Sequence, residues 1–264
     1  MASGVNGITR FNMSALALGL AFLYLPIVIL VIYSFNASRL VTVWGGWSLR
    51  WYTEFFNDRA MLDAAWMSLR VAAVSATIAT LLGTLAAIGL ARGERFKGRA
   101  LFSGMLYSPL VMPEVISGLS LLLLFVALNA ERGFWTVTVA HTTLTMCFVA
   151  VVVQSRLASL DRSLEEAAMD LGCDPVRAFL SVTLPLIIPA IVAGWMLAFT
   201  LSLDEFMVTY FTCDASSTTL PIRIYSSVKA GMKPTLNAFS TLFVVVTAIL
   251  VLLSDAVGRR ARRS

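Results

Sequence analysis

RLASLDRSLEEAAMDLGCDPVRAFLSVTLP, residues 156–185, is a polar stretch of 30 residues set between two long apolar runs. It is longer than an ordinary helix–helix connection and carries its own helix punctuation. Ser163 and Glu166, three residues apart, predict a capping box in which hydroxyl and carboxylate each satisfy an orphan backbone N–H. Gly172 is expected to end that helix in the left-handed conformation that a side chain disfavours. Asp174 and Pro175 then predict a fresh N-cap and a first helical residue that needs no N–H. The second short helix is expected to run toward Thr183 and to stop at Pro185. A helix–turn–helix standing off an apolar body is a shape suited to docking.

Working outward, apolar runs of roughly 20 residues or more, each enough to cross a bilayer as a helix, occupy 13–35, 69–91, 100–127, 134–155, 186–211 and 236–257. The composition agrees: 58% of the chain is hydrophobic and 13% charged, too few charges to cover a soluble globule. The expected fold is an all-α polytopic membrane protein with six spans. The first run contains Pro26 and is followed by no small-residue cleavage pattern, so a retained span is expected there. In the loop that follows, Trp44, Trp47, Trp51, Tyr52, Phe55 and Phe56 predict an amphipathic helix lying in the headgroup region.

Lys and Arg flanking the spans set orientation. Cytoplasmic termini put twelve of the twenty basic residues inside: Arg10, Arg92, Arg95, Lys97, Arg99, Arg156, Arg162, Arg177, Arg259, Arg260, Arg262 and Arg263. The net charge of +5 is clustered beside apolar segments and forms no single stripe, which argues against nucleic acid as a partner. No G-x-x-x-x-G-K-[ST] phosphate loop occurs, so ATP hydrolysis is not expected of this chain. Cys147, Cys173, Cys213 and the lone His141 lack the spacing of a metal site or a nucleophile–base pair. No catalytic residue, metal or resident cofactor is expected, and His141 is expected to pack.

Glu166-Ala167-Ala168, Gly172 and the ending Val182-Thr183-Leu184-Pro185 resemble the EAA loop of ABC importer permeases, with Val182 where the pattern usually has Ile. The resemblance implies a type I (MetI-like) importer permease in a bacterial cytoplasmic membrane. It implies one transmembrane permease domain over 1–264, with a core of about 65–257 and a coupling loop at 156–185. Glu166, Ala167, Ala168, Gly172, Leu184 and Pro185 would then couple to a separate ATPase. The implied partners are a homologous second permease, two ATPase subunits that bind Mg-ATP, and a periplasmic solute-binding protein.

Ionisable residues within spans are costly and point to function. Glu114, Asp204 and Glu205 are the three here. On straight helices Glu114 lies about 21 Å beyond Ala100 and Asp204 about 27 Å beyond Leu186, in the outer half of the membrane. Pro109 and Pro113 are expected to break the helix ahead of Glu114. Ser202, Glu205 and Thr209 share a face by spacing, and Asp204 points about 100° away. These acids either draw a cation through the bundle, with Trp47 adding cation–π contact at the outer mouth, or satisfy backbone and companion-subunit groups. The run Ser202-Leu203-Asp204-Glu205-Phe206, with Thr219-Leu220-Pro221, Tyr225-Ser226-Ser227 and Trp47-Ser48-Leu49, is similar to the second permease of spermidine/putrescine importers, with Glu205 where Asp is common. That resemblance implies polyamine as the solute. An importer permease for another small solute and an ion-gradient-driven secondary transporter remain the alternatives, although the inverted repeat of many secondary transporters is not apparent.

Overall fold

A chain this apolar must satisfy its backbone hydrogen bonds internally, and helices do so segment by segment. The computed structural model describes residues 10–245 apart from 41–42, 94–95 and 232–233. Those residues form an all-α structure: α1 (Arg10–Ser34), α2 (Arg50–Asn57), α3 (Arg59–Ala91), α4 (Arg99–Val111), α5 (Glu114–Ala127), α6 (Phe134–Ala158), α7 (Ser163–Asp170) and α8 (Pro175–Ala178). A π-helical turn (Phe179–Thr183) leads into α9 (Leu184–Asp204), followed by α10 (Met207–Thr212), α11 (Leu220–Lys229) and α12 (Thr235–Val245).

Among the described residues four helices are long and apolar enough to cross a membrane: those over Phe11–Ser34, Arg59–Ala91, Phe134–Ala158 and Pro175–Asp204. The α4–α5 pair makes a fifth if its two arms, bent by 117°, count as one crossing. The sixth expected run, 236–257, lies mostly outside the described residues, as do Arg95 and the basic tail from Arg259 to Arg263. The described part of that run is helical.

The third run breaks ahead of Glu114, as its prolines lead one to expect, but only one of them is responsible. Met112 adopts an extended conformation (φ −76°, ψ 138°) because the ring of Pro113 crowds an α-conformation at the residue before it. Pro109 is accommodated inside α4, where the Ser108 hydroxyl donates to Met105 O at 3.0 Å, the carbonyl that Pro109 cannot serve. One proline therefore breaks the helix and the other does not. The 21 Å rise assigned to Glu114 does not apply across such a bend.

The chain divides into two compact units. In the unit of residues 62–223, α6 is the central helix. Val149 and Val153 of α6 pack with Ala76 and Ala87 of α3 and with Ile187 and Ala198 of α9. Leu144 and Ala140 pack with Phe125 of α5 and Val208 of α10, and Ala150 packs with Leu90 and Leu106. Gly83 lets α3 touch α6 directly: a Cβ there would stand 2.6 Å from Met146 O.

In the other unit, formed by residues up to Met61 and from Ile224 onward, α1 leaves nearly all its side chains exposed. Asn36 organises the turn after it, donating to Val43 O at 2.7 Å and accepting from the N–H groups of Gly45 at 2.7 Å and Ser38 at 3.1 Å. Gly46 follows with φ +98°. This turn corrects the expected interfacial helix. Trp51, Tyr52, Phe55 and Phe56 lie on α2, but Trp44 and Trp47 precede it in the turn. Trp51 points inward and donates its indole N–H to Asn36 O at 2.5 Å.

Candidate functional site

The fifth apolar run also breaks, at the acids themselves. α9 ends at Asp204, Glu205 is extended at ψ 113°, and the chain resumes helix at Met207. The Glu205 carboxylate accepts from Val208 N–H at 2.9 Å, which satisfies an orphan donor of the first turn of α10. Glu205 is buried, and Asp204 is exposed.

His141 of α6 holds the two sides of this break. Its Nδ1 is 2.6 Å from Ser202 Oγ on α9, and its Nε2 is 2.7 Å from Thr209 Oγ1 on α10. The Thr209 hydroxyl donates its proton to Glu205 O at 2.9 Å, so it accepts from Nε2–H. Nδ1 is then the bare nitrogen and accepts from the Ser202 hydroxyl, which lies 3.1 Å from Ser75 Oγ. A directed chain of hydrogen bonds thus runs from α9 through a neutral imidazole to the backbone of Glu205. The imidazole is completely buried. The packing role expected for it was too modest; Thr138, Thr142 and Thr145, which share its face of α6, were the overlooked signal of a polar seam.

Glu114 opens α5 immediately after the Pro113 break and is exposed. Gly118, one turn on, lets α5 lie against α10, where a Cβ would stand 2.8 Å from the Phe211 ring and 3.2 Å from Val208 Cα. Across that contact Glu114 is within electrostatic reach of Glu205, whose chain neighbour is Asp204. The three acids of two separate runs converge, and among the described residues none forms an ion pair. A cavity of about 160 Å³ lies at the α4–α5 break, lined by Ser108, Pro109, Met112, Ser117, Thr143 and Val208 among others. Ser202 has its hydroxyl committed to His141 and Ser75 and lies buried. Trp47 belongs to the other unit; it is 73% exposed and stacks edge-on against Trp44 at 5.0 Å.

The polar loop has the two helices expected of it, with different ends. Ser163 is the first helical residue, and its N–H donates to Asp161 Oδ1 at 3.0 Å, so the Ser163–Glu166 capping box does not form. Hydrogen bonds from the backbone N–H and side chain of Ser163 hold the Asp161 carboxyl below its ordinary value. Gly172 takes φ +92°, and Asp174 accepts from Arg177 N–H at 2.6 Å ahead of Pro175. Pro185 does not stop the helix. The π-helical turn before it widens the backbone, and Leu184 N–H bonds back to Phe179 O, so helix continues from Pro175 to Asp204. Glu166, Ala167, Gly172 and Pro185 are exposed, and Ala168 and Leu184 are half-buried. Beside them Leu171 is 89% and Val176 68% exposed, an apolar face on a polar loop.

Four helices long and apolar enough to cross a membrane, with a fifth if the bent α4–α5 pair is one crossing, define the class as a multi-pass membrane protein. The chain belongs to the family of binding-protein-dependent transport system inner membrane components, whose pattern matches residues 79–263. It is 51% identical over 254 residues, 94% of this chain and 90% of the relative, to the putrescine transport system permease protein PotI of Escherichia coli (strain K12). It is 42% identical over 239 residues, 90% of each, to the spermidine/putrescine transport system permease protein PotC of the same strain. Its fold matches, at TM-score 0.74 and 13% identity over 97% of this chain and 99% of the other, a bacterial ABC transporter involved in the import of the acidic polysaccharide alginate.

Proposed function

We propose that this permease forms half of the pathway of an ATP-driven importer for polyamines such as putrescine and spermidine. The observation that carries the reading is the convergence of Glu114, Asp204 and Glu205 at the α5–α10 contact. A polyamine is a flexible chain with ammonium groups separated by methylenes, and unpaired carboxylates beside apolar helices suit both parts of it. Exposed Asp204 and Glu114 meet the ammonium groups directly, and buried Glu205 adds its field from behind. Ser202 contributes by fixing His141. Trp47, in the other unit, offers an exposed ring suited to cation–π contact. The solute named for the two relatives supports this choice, whereas the alginate importer shares the fold and differs in solute, so the fold alone does not select polyamines.

A permease of this size supplies one side of a pathway, so a homologous second permease supplies the other, with a periplasmic binding protein delivering solute and two ATPase subunits binding Mg-ATP. The apolar face around Leu171 and Val176, with Glu166, Ala167 and Ala168, is the docking surface for an ATPase. Radiolabelled putrescine and spermidine uptake by wild type, Glu114→Gln, Asp204→Asn and Glu205→Gln, at matched expression, tests the pathway. Loss of uptake from complexes that still assemble is expected. Undiminished uptake in all three would return the acids to a structural role.

A further inference from the structure

The loop over 156–185 is fastened to the membrane helices by an acid one residue ahead of the Glu166-Ala167-Ala168 run. Glu165 turns inward while Glu166 is exposed. Glu165 Oε1 lies 3.3 Å from Arg92 Nε at the end of α3, and the side chains are 22% and 15% exposed, so water and salt screen the pair less than a surface pair. The same carboxylate oxygen accepts from the hydroxyl of Thr183, which is buried at the end of the π-helical turn. Arg92 Nε is buried and makes no hydrogen bond, so Glu165 is what neutralises it there. Arg162, nearly one turn earlier, donates to Ala91 O at 3.1 Å, a second tie between α7 and the end of α3.

One carboxylate therefore joins α7 to the end of α3 and to the root of α9. π-helical turns recur at functional positions, and this one sits where the loop becomes the helix that ends at the pathway acids. Contiguous contacts of this kind are a physical route for energetic coupling between a docking surface and a pathway. We propose that Glu165 is the transmission residue of the loop, carrying displacement of α7 to α3 through Arg92 and to α9 through Thr183. The proposal rests on the reading of this loop as the seat of an ATPase.

The test uses the assembled complex with its binding protein in proteoliposomes, measuring solute uptake, solute-stimulated ATP hydrolysis and retention of the ATPase on purification. Glu165→Gln, Glu165→Arg and Arg92→Glu are expected to keep the ATPase bound and hydrolysing while uptake falls about tenfold, a size within the usual range of coupling energies. The exchange Glu165→Arg with Arg92→Glu is expected to restore most of the uptake. Wild-type uptake in the single variants, release of the ATPase by them, or a double exchange as inactive as its parents would each overturn the proposal. A wild-type complex that holds no ATPase would instead refute the docking reading on which it rests.

Discussion

Thr209 spends its hydroxyl proton on Glu205 O, and that single bond sets the direction of every hydrogen bond through His141. Replacing the imidazole by a ring of similar volume without nitrogens, His141→Phe, removes both bonds and leaves buried hydroxyls under-satisfied. A loss of about 1–3 kcal/mol is expected from desolvated groups left without partners. Thermal unfolding of the purified permease complex checks this, and an unchanged melting temperature would remove His141 from the frame of the break. Residue chemistry in the loop was legible where one residue had one conformational solution: Gly172 at positive φ, and Asp174 followed by Pro175. It was not legible where neighbours competed. Asp161 and Glu166 both offered a carboxylate to the Ser163 N–H, and Asp161, two residues ahead of it, took the bond. His141 was hidden for a related reason: its partners Ser202 and Thr209 lie 61 and 68 residues away, a distance that no local pattern bridges.

At the scale of elements, small residues decide how closely the helices approach. Val149 of α6 is held between Gly83 of α3 and Gly194 of α9, but the two contacts differ in kind. A Cβ on residue 83 would meet a backbone carbonyl at 2.6 Å, while one on residue 194 would meet a Val149 methyl at 3.2 Å. Gly83→Ala must push α3 away from α6 and is expected to cost about 1–3 kcal/mol, the usual scale of overpacking. Gly194→Ala needs only a few tenths of an ångström from one side chain and is expected to cost much less. Melting temperatures of the two variants, measured side by side, check the order; equal losses would mean that α3 and α6 have room to separate. The helical class and most of the apolar elements were readable from hydropathy, because helix is what an apolar span requires. The break ahead of Glu114 was readable too, from Pro113, but the break at Glu205 and the tolerance of Pro109 and Pro185 were not. Pro109, Pro113 and Pro189 sit in apolar runs and Pro185 borders one, yet of these only Pro113 ends a helix. Ser108 rescues Pro109 and a π-helical turn precedes Pro185, compensations that depend on three-dimensional geometry.

For the whole molecule, the proposed orientation, with cytoplasmic termini, decides which face would meet an ATPase and which a binding protein. The native thiols offer a direct test. Cys173 lies in the loop between α7 and α8, Cys213 follows α10, and Cys147 is buried in α6. With the termini in the cytoplasm, a membrane-impermeant maleimide applied to right-side-out spheroplasts is expected to label Cys213 and spare Cys173. Inside-out vesicles should give the opposite pattern, and Cys147 should stay unlabelled in both. The pH dependence identifies the Cys213 reaction. Burial, reinforced by the charge of neighbouring Asp214, raises the Cys213 thiol above its ordinary value, so its thiolate is scarcer at neutral pH. Its labelling rate should keep rising above about pH 10, where an unperturbed thiol with a pKa near 8.5 has levelled off. Labelling of Cys173 from the outside would place residues 156–185 on the face away from ATP. The coupling proposal and the role of Glu165 would then fall together, while the convergence of Glu114, Asp204 and Glu205 would stand, since it depends on contacts within one unit of the chain.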